Sequence, residues 1–165
     1  MSNLRRYYSE GNIYFVTSVT IDRKPLLAHS AWLLQKALTS HCHDKGLIAW
    51  VILPEHFHAI IDPSDENLSN IVRQVKLSFS VRYKKLNKIP NGRIWQYRFW
   101  DHVIRGQEDL NYHIDYIHYN PVKHRYVDDP NEWIFSSFHK YRKLGYYSDG
   151  WGVKEIKIFE GDFGE

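Results

Sequence analysis

Residues 47–62, LIAWVILPEHFHAIID, constrain the fold more than any other stretch of the chain. A nearly continuous apolar run at 47–54 passes through a short Pro-Glu-His turn into a second run at 57–62. Two such runs, so close in sequence, bury their side chains together as neighbouring antiparallel strands. Helical patterns flank this hairpin. Residues 30–46 carry Trp32, Leu33, Leu34, Ala37 and Leu38 at helical spacing, with Ser30 as N-cap and Gly46 as stop. Residues 64–88 carry Leu68, Ile71, Val72, Val75, Phe79, Tyr83 and Leu86 on a 3.6-residue period, which predicts a core-facing stripe. Arg73, Lys76, Ser80 and Lys84 line much of the opposite face, and Asp65 and Glu66 suit the positive end of the helix dipole.

The β-branched and aromatic run at 12–21 predicts a first strand. Residues 94–105, IWQYRFWDHVIR, predict a further strand broken near Asp101. Residues 108–121 predict a last clear helix, opened by Glu108 and Asp109 and ended by Pro121. The resulting β-α-β-β-α-β series is the α+β, ferredoxin-like split βαβ arrangement with an antiparallel sheet, plus an added C-terminal helix. A length of 165 residues predicts one domain, with 128–165 as an extension that is first aromatic and then acidic.

Composition narrows the function classes. The chain is 43% hydrophobic and 16% aromatic, enough to bury a sizeable core. Cys42 is the only cysteine, which excludes an intramolecular disulfide and a cysteine-rich zinc site and predicts a reducing, cytoplasmic setting. No apolar run approaches the ~20 residues of a membrane-spanning helix, and no secretory signal is read at residues 1–12, so no membrane partner is expected. The net charge of +3 hides an asymmetry: residues 1–127 hold 17 Lys and Arg against 11 Asp and Glu, whereas 128–165 hold 5 against 8. A basic body suits a polyanionic partner as well as it suits a merely solvated surface.

Within the hairpin, His56 and His58 stand at i and i+2 and therefore share one face of a strand. Two imidazoles so placed are either hydrogen-bonded histidines at the rim of a sheet or paired ligands for a divalent metal. Asp62 shares that face but lies about 13 Å further on at strand rise. His41 and His43 diverge around a helix and read as surface residues. The helix YHIDYIHYNP is a better source of partners. Leu110, Ile114 and Ile117 mark its core stripe, while Tyr112, Tyr116 and Asn120 run along another face. Asn120 offers an amide oxygen one turn from Tyr116, a candidate nucleophile. Tyr112 and Tyr119 remain alternatives by helical geometry alone, and the whole segment also suits an amphipathic packing helix.

PEHFHAII, the basic amphipathic helix, WQYRFWDHVIR and YIHYNPVKH, in that order, resemble the HUH single-tyrosine transposases, most closely their REP-associated tyrosine transposase branch. The resemblance runs from about Arg5 to Tyr141. It implies a ferredoxin-like core with His56 and His58 as the HUH metal pair, Tyr116 as nucleophile and Asn120 as the polar residue completing the metal site. It further implies Mg²⁺ or Mn²⁺ as cofactor, single-stranded or hairpin (REP-like) DNA as partner, and a 5′-phosphotyrosine intermediate in nicking and strand transfer. A prokaryotic, nucleoid-associated location and a monomer or homodimer accompany that expectation. The family's usual asparagine before the first histidine is Glu55 here, which alters the local charge. Arg5, Arg6, Arg73, Lys76, Lys84, Arg98 and Arg105, supplemented by Arg23, are the expected nucleic-acid contacts. Trp95, Tyr97, Phe99 and Trp100 are candidate stacking surfaces. Two competing functions fit the same residues: a hairpin-binding module without catalysis, and a metal-dependent hydrolase of a small phosphorylated substrate.

Overall fold

The computed structural model describes residues 11–43, 45–153 and 157–165, so Arg5 and Arg6 lie outside the described residues. Four strands, β1 (Tyr14–Val19), β2 (Leu47–Ile52), β3 (His56–Ile61) and β4 (Trp100–Val103), form one sheet in the order β2-β3-β1-β4. Every pairing is antiparallel. The helices are α1 (Ala31–His41), α2 (Leu68–Asn87), α3 (Gln107–Lys123) and α4 (Phe138–Lys143). This is the expected α+β split-βαβ arrangement with an added helix.

Alternation along the strands divides the interior into two layers. Val16, Ile52, Phe57, Ala59 and Ile61 pack on one face against Leu34 and Leu38 of α1 and Val75 and Phe79 of α2. Phe15, Val51 and Ile60 pack on the other against Ile114, Tyr116 and Ile117 of α3, with Phe138 and Phe163 from the segment beyond. His56 and His58, in step with Ile60, therefore face α3. The register pairs His58 with Thr17 and His56 with Val19, so the histidines sit on a central strand with β1 as their neighbour.

Several boundaries differ from the sequence expectation. Helix α1 ends at Cys42, whose backbone is extended, and not at Gly46. Helix α2 begins after Asn67, whose side chain caps the N–H groups of Ser69 and Asn70, and Leu86, in its last turn, is 60% exposed and falls outside the core stripe. The break in 94–105 falls before Trp100 and not near Asp101. Trp95 turns into the α1/α2 layer, bridges to Thr20 and donates its indole N–H to the Lys76 carbonyl at 3.2 Å, which takes the chain off the sheet. Helix α3 continues through Pro121 to Lys123. Burial of Tyr119, Asn120 and Pro121 holds the turn together although proline has no N–H to donate.

The extension is fastened to the sheet. Ile52 N–H donates to Phe135 O and Ser137 N–H to Trp50 O, both at 2.9 Å, and Trp133 donates its indole N–H to Ile52 O at 3.0 Å. These bonds cover the outer edge of β2, which would otherwise present unpaired backbone groups. Residues 159–165 then cross α3. Gly164 adopts φ +73, and a Cβ there would lie 2.4 Å from Trp100, so the crossing requires glycine.

Candidate active site

The two histidines of β3 are fully buried, and each has one ring nitrogen committed. His56 Nδ1 lies 3.0 Å from Glu55 Oε1, and an ionised carboxylate can only accept, so Nδ1 carries the proton. His58 Nδ1 lies 2.7 Å from Thr17 Oγ1, and Thr17 donates its own proton to Phe163 O at 2.5 Å. The hydroxyl must therefore accept from His58. In the neutral form of each ring both networks assign the proton to Nδ1 and leave Nε2 directed into the site. Among the described residues, neither Nε2 has a neighbour to pair with other than Glu165, and Oδ1 and Nδ2 of Asn120, which is fully buried one turn beyond Tyr116, form no hydrogen bond. Buried polar atoms are normally satisfied, and one nitrogen from each of these imidazoles lies with a Glu165 carboxylate oxygen inside 4.8 Å, a group that suits a divalent cation.

Tyr116 meets this pair. Its ring lies 5.3 Å from that of His58, and its hydroxyl accepts a hydrogen bond from Lys123 Nζ at 3.0 Å. The alternatives point elsewhere. Tyr112 OH donates to Glu160 O at 2.9 Å, and Tyr119 OH accepts from Lys157 N–H.

Glu165 closes the mouth. Its Oε2 lies 3.2 Å from His56 Nε2, 3.5 Å from His58 Nε2 and 2.7 Å from His124 Nε2, and its Oε1 contacts Tyr116 and Lys123. Phe163 stacks on Tyr116 with centroids 3.7 Å apart. Electrostatics follow from this crowding. Burial pushes the His58 imidazolium pKa down to about 3 and that of His124 to about 4. Burial also opposes charge on His56, but the Glu165 and Glu55 carboxylates outweigh it and hold its pKa above the usual value. Burial disfavours the Glu165 carboxylate too, yet the two imidazoles bring its pKa down to about 2.

Lys123, His124, Thr17 and Glu165 were not among the sequence candidates for this site. Lys123 and His124 stand in the quoted YIHYNPVKH and were open to notice. Thr17 becomes legible only once the β1–β3 register is known, and an acidic residue so far along the chain reads as a solvated tail.

The expected nucleic-acid contacts divide. Arg73 and Lys76 line a cleft of about 410 Å³ between α2 and the segment before β4, together with Tyr97 and Phe99. Arg98 and Arg105 are exposed, and Lys84 is half-buried on α2. Of the four aromatics, only Tyr97 is largely exposed, at 85%, with the Arg93 guanidinium over its ring at 4.9 Å; Trp95 is buried, and Phe99 and Trp100 pack against the two layers. Asp62 stays out of the site and accepts from Ser64 N–H instead.

No family model matches the chain. It is similar to the REP-associated tyrosine transposase of Escherichia coli K12, with 37% identity over 156 residues that cover 92% of this chain and 91% of the relative. A Haemophilus influenzae relative bearing the same family name is 35% identical over 175 residues, covering 98% and 99%. A REP-associated tyrosine transposase solved bound to a REP hairpin superposes with a TM-score of 0.77 at 34% identity, over 100% of this chain and 98% of that one. Full-length similarity at this level shows that the chain belongs to the REP-associated tyrosine transposases, a family of transposase enzymes.

Proposed function

We propose that this chain cuts and rejoins single-stranded DNA beside a hairpin, with Tyr116 as the nucleophile. The observation that carries this reading is the meeting of Tyr116 with the paired imidazoles, 5.3 Å from His58 and hydrogen-bonded to Lys123. In the reaction the Tyr116 oxygen bonds to phosphorus as the bond from phosphorus to the 3′ oxygen breaks. The phenolic proton leaves to solvent and the departing oxygen takes one up, which gives a 3′-hydroxyl and a 5′-phosphotyrosine. The phosphoester is retained on the protein, so a second 3′-hydroxyl can reverse the step without ATP.

Mg²⁺ or Mn²⁺ held by His56, His58 and Asn120 would polarise the scissile phosphate. An unassisted phenol has a pKa of about 10 and is a poor nucleophile at neutral pH. The Lys123 ammonium faces the attacking oxygen and stabilises the charge that develops there. Arg73 and Lys76 would follow a phosphate backbone while Tyr97 stacks on a splayed base, with Lys84, Arg98 and Arg105 extending the basic surface. A relative bound to a REP hairpin supports hairpin DNA as the substrate.

The test is incubation with Mn²⁺ and 5′- and 3′-labelled single-stranded hairpin oligonucleotides, followed by denaturing electrophoresis. Wild type should yield a denaturant-stable protein–DNA adduct and Tyr116→Phe none. Identical products from both would reject the nucleophile.

A second reading, a hairpin-binding module that no longer cuts, is favoured by the stacking of Phe163 on Tyr116 and the seat of Glu165 against the imidazoles. It predicts salt-sensitive binding that survives loss of Tyr116 and of both histidines, with no adduct in any metal.

A further inference from the structure

A second cluster of metal-ligating side chains joins the sheet edge to α3. Asp109, in the first turn of α3, has Oδ2 2.9 Å from His102 Nε2 of β4 and accepts the Arg105 backbone N–H there at 2.7 Å. Its Oδ1 lies 3.0 Å from Nδ1 of His113, one helical turn further on. That same Nδ1 is 2.9 Å from the Asp109 carbonyl. One nitrogen from each imidazole and one carboxylate oxygen all fall within 4.8 Å of one another. The two imidazoles stack at 4.7 Å and 19°. His113 is nearly buried and its pKa is lowered, chiefly by burial, whereas His102 is 32% exposed and open to solvent.

This cluster is separate from the histidine pair of β3. Phe15 stands between them, its ring 5.2 Å from His58 and 4.8 Å from His113. Hydrogen bonds to the shared carboxylate account for the arrangement without an ion. The same arrangement is ready for one, because each neutral imidazole can carry its proton on the other ring nitrogen and turn a lone pair to a divalent cation while Asp109 keeps its charge. Two histidines and one carboxylate, with an opening to water at His102, suit a borderline late first-row ion better than an all-oxygen ion such as Mg²⁺.

We propose that His102, Asp109 and His113 form a second divalent-metal site, of the Zn²⁺ or Co²⁺ class, that fastens α3 to β4. The site does not depend on the DNA chemistry. Its consequence for the fold is positional: Tyr116 lies three residues beyond His113, on the helix that the ion would hold.

Co²⁺ alone is the probe, added to chelator-stripped full-length protein, with bound ion counted after equilibrium dialysis and visible absorption recorded. Wild type should bind two equivalents. His102→Gln and Asp109→Asn should each bind one, and His56→Gln/His58→Gln should also bind one but keep the absorption that the first two variants lose. Thermal melting of His56→Gln/His58→Gln should shift upward with Zn²⁺, and adding His102→Gln should abolish the shift. The proposal is overturned if wild type binds a single equivalent that the His56/His58 substitutions remove. It is equally overturned if His102→Gln and Asp109→Asn retain the wild-type stoichiometry, which would assign the second ion to surface histidines.

Discussion

At the scale of single residues, Glu55 serves the histidine beside it. Its carboxylate bonds His56 Nδ1 at 3.0 Å and accepts from Tyr126 OH at 3.0 Å. Burial works against its charge, but the bonds from His56 and Tyr126 hold its pKa below the usual value, so Glu55 stays ionised and fixes the His56 tautomer. Loss of such a partner typically costs roughly 10–100-fold in metal affinity. Glu55→Ala should therefore raise the Mn²⁺ concentration for half-maximal adduct formation by about that factor, with Glu55→Gln in between; superimposable Mn²⁺ titrations would dismiss the role. Lys123 acts on the other partner, Tyr116. In a Glu165→Gln background, which removes the competing carboxylate, Lys123→Met should slow adduct formation by roughly 100-fold. Hairpin affinity should change little, and Lys123→Arg should recover most of the rate. An equal fall in binding and rate would reduce Lys123 to a phosphate contact.

At the scale of elements, the hairpin and its flanking helices were legible because burial writes a period into the sequence. Alternation along β3 set His56 and His58 on one face, and the 3.6-residue stripe of α2 is the observed core face as far as Tyr83. Ends were less legible. Whether a helix stops at Cys42 or Gly46, or runs through Pro121, depends on packing that local sequence does not encode. Cys42 carries a testable consequence of where α1 stops. Burial, with a smaller contribution from Glu66, pushes its thiol from 9.0 up to about 12. The thiolate is the reactive form and its fraction grows as pH rises toward that value, so at pH 8 it is about a thousandfold scarcer than for an ordinary thiol. Alkylation of the native protein at pH 8 should be correspondingly slow, and rapid once the chain is unfolded; rapid native labelling would contradict the burial. The α2 cleft makes the other element-scale prediction. Arg73→Ala should weaken hairpin binding and reduce the slope of log K against log salt by about 1. Tyr97→Ala should cost about 1–3 kcal/mol without altering that slope. Titrations of both variants at several salt concentrations separate the two effects.

At the scale of the whole molecule, residues 159–165 bring together parts that sequence keeps apart. Phe163 accepts the Thr17 proton that sets the His58 tautomer, and stacks on Tyr116. Glu165 presents a carboxylate to both Nε2 atoms, to His124 and to Lys123. A phosphodiester is also an anion with oxygens at hydrogen-bonding reach, so the scissile phosphate and Glu165 compete for the Lys123 and His124 donors. Glu165 is ionised throughout the neutral range, since its pKa lies at about 2, and acidifying from pH 8 to pH 6 leaves that competitor in place. Glu165→Gln weakens the ion pairs while nearly preserving shape. It should raise the initial rate of adduct formation at saturating hairpin by about 10-fold, the equivalent of ~1.4 kcal/mol. Phe163→Ala should raise it through loss of stacking, offset in part by loosening of Thr17. The opposite result has its own meaning, because His56, His58 and Glu165 also bring ligand atoms within 4.8 Å of one another. If Glu165→Gln slows the reaction and higher Mn²⁺ restores it, the carboxylate is a metal ligand and not a competitor of the substrate. Rates measured across a Mn²⁺ series for wild type, Glu165→Gln and Phe163→Ala decide between these roles, since only a competitor gives a faster enzyme at every metal concentration.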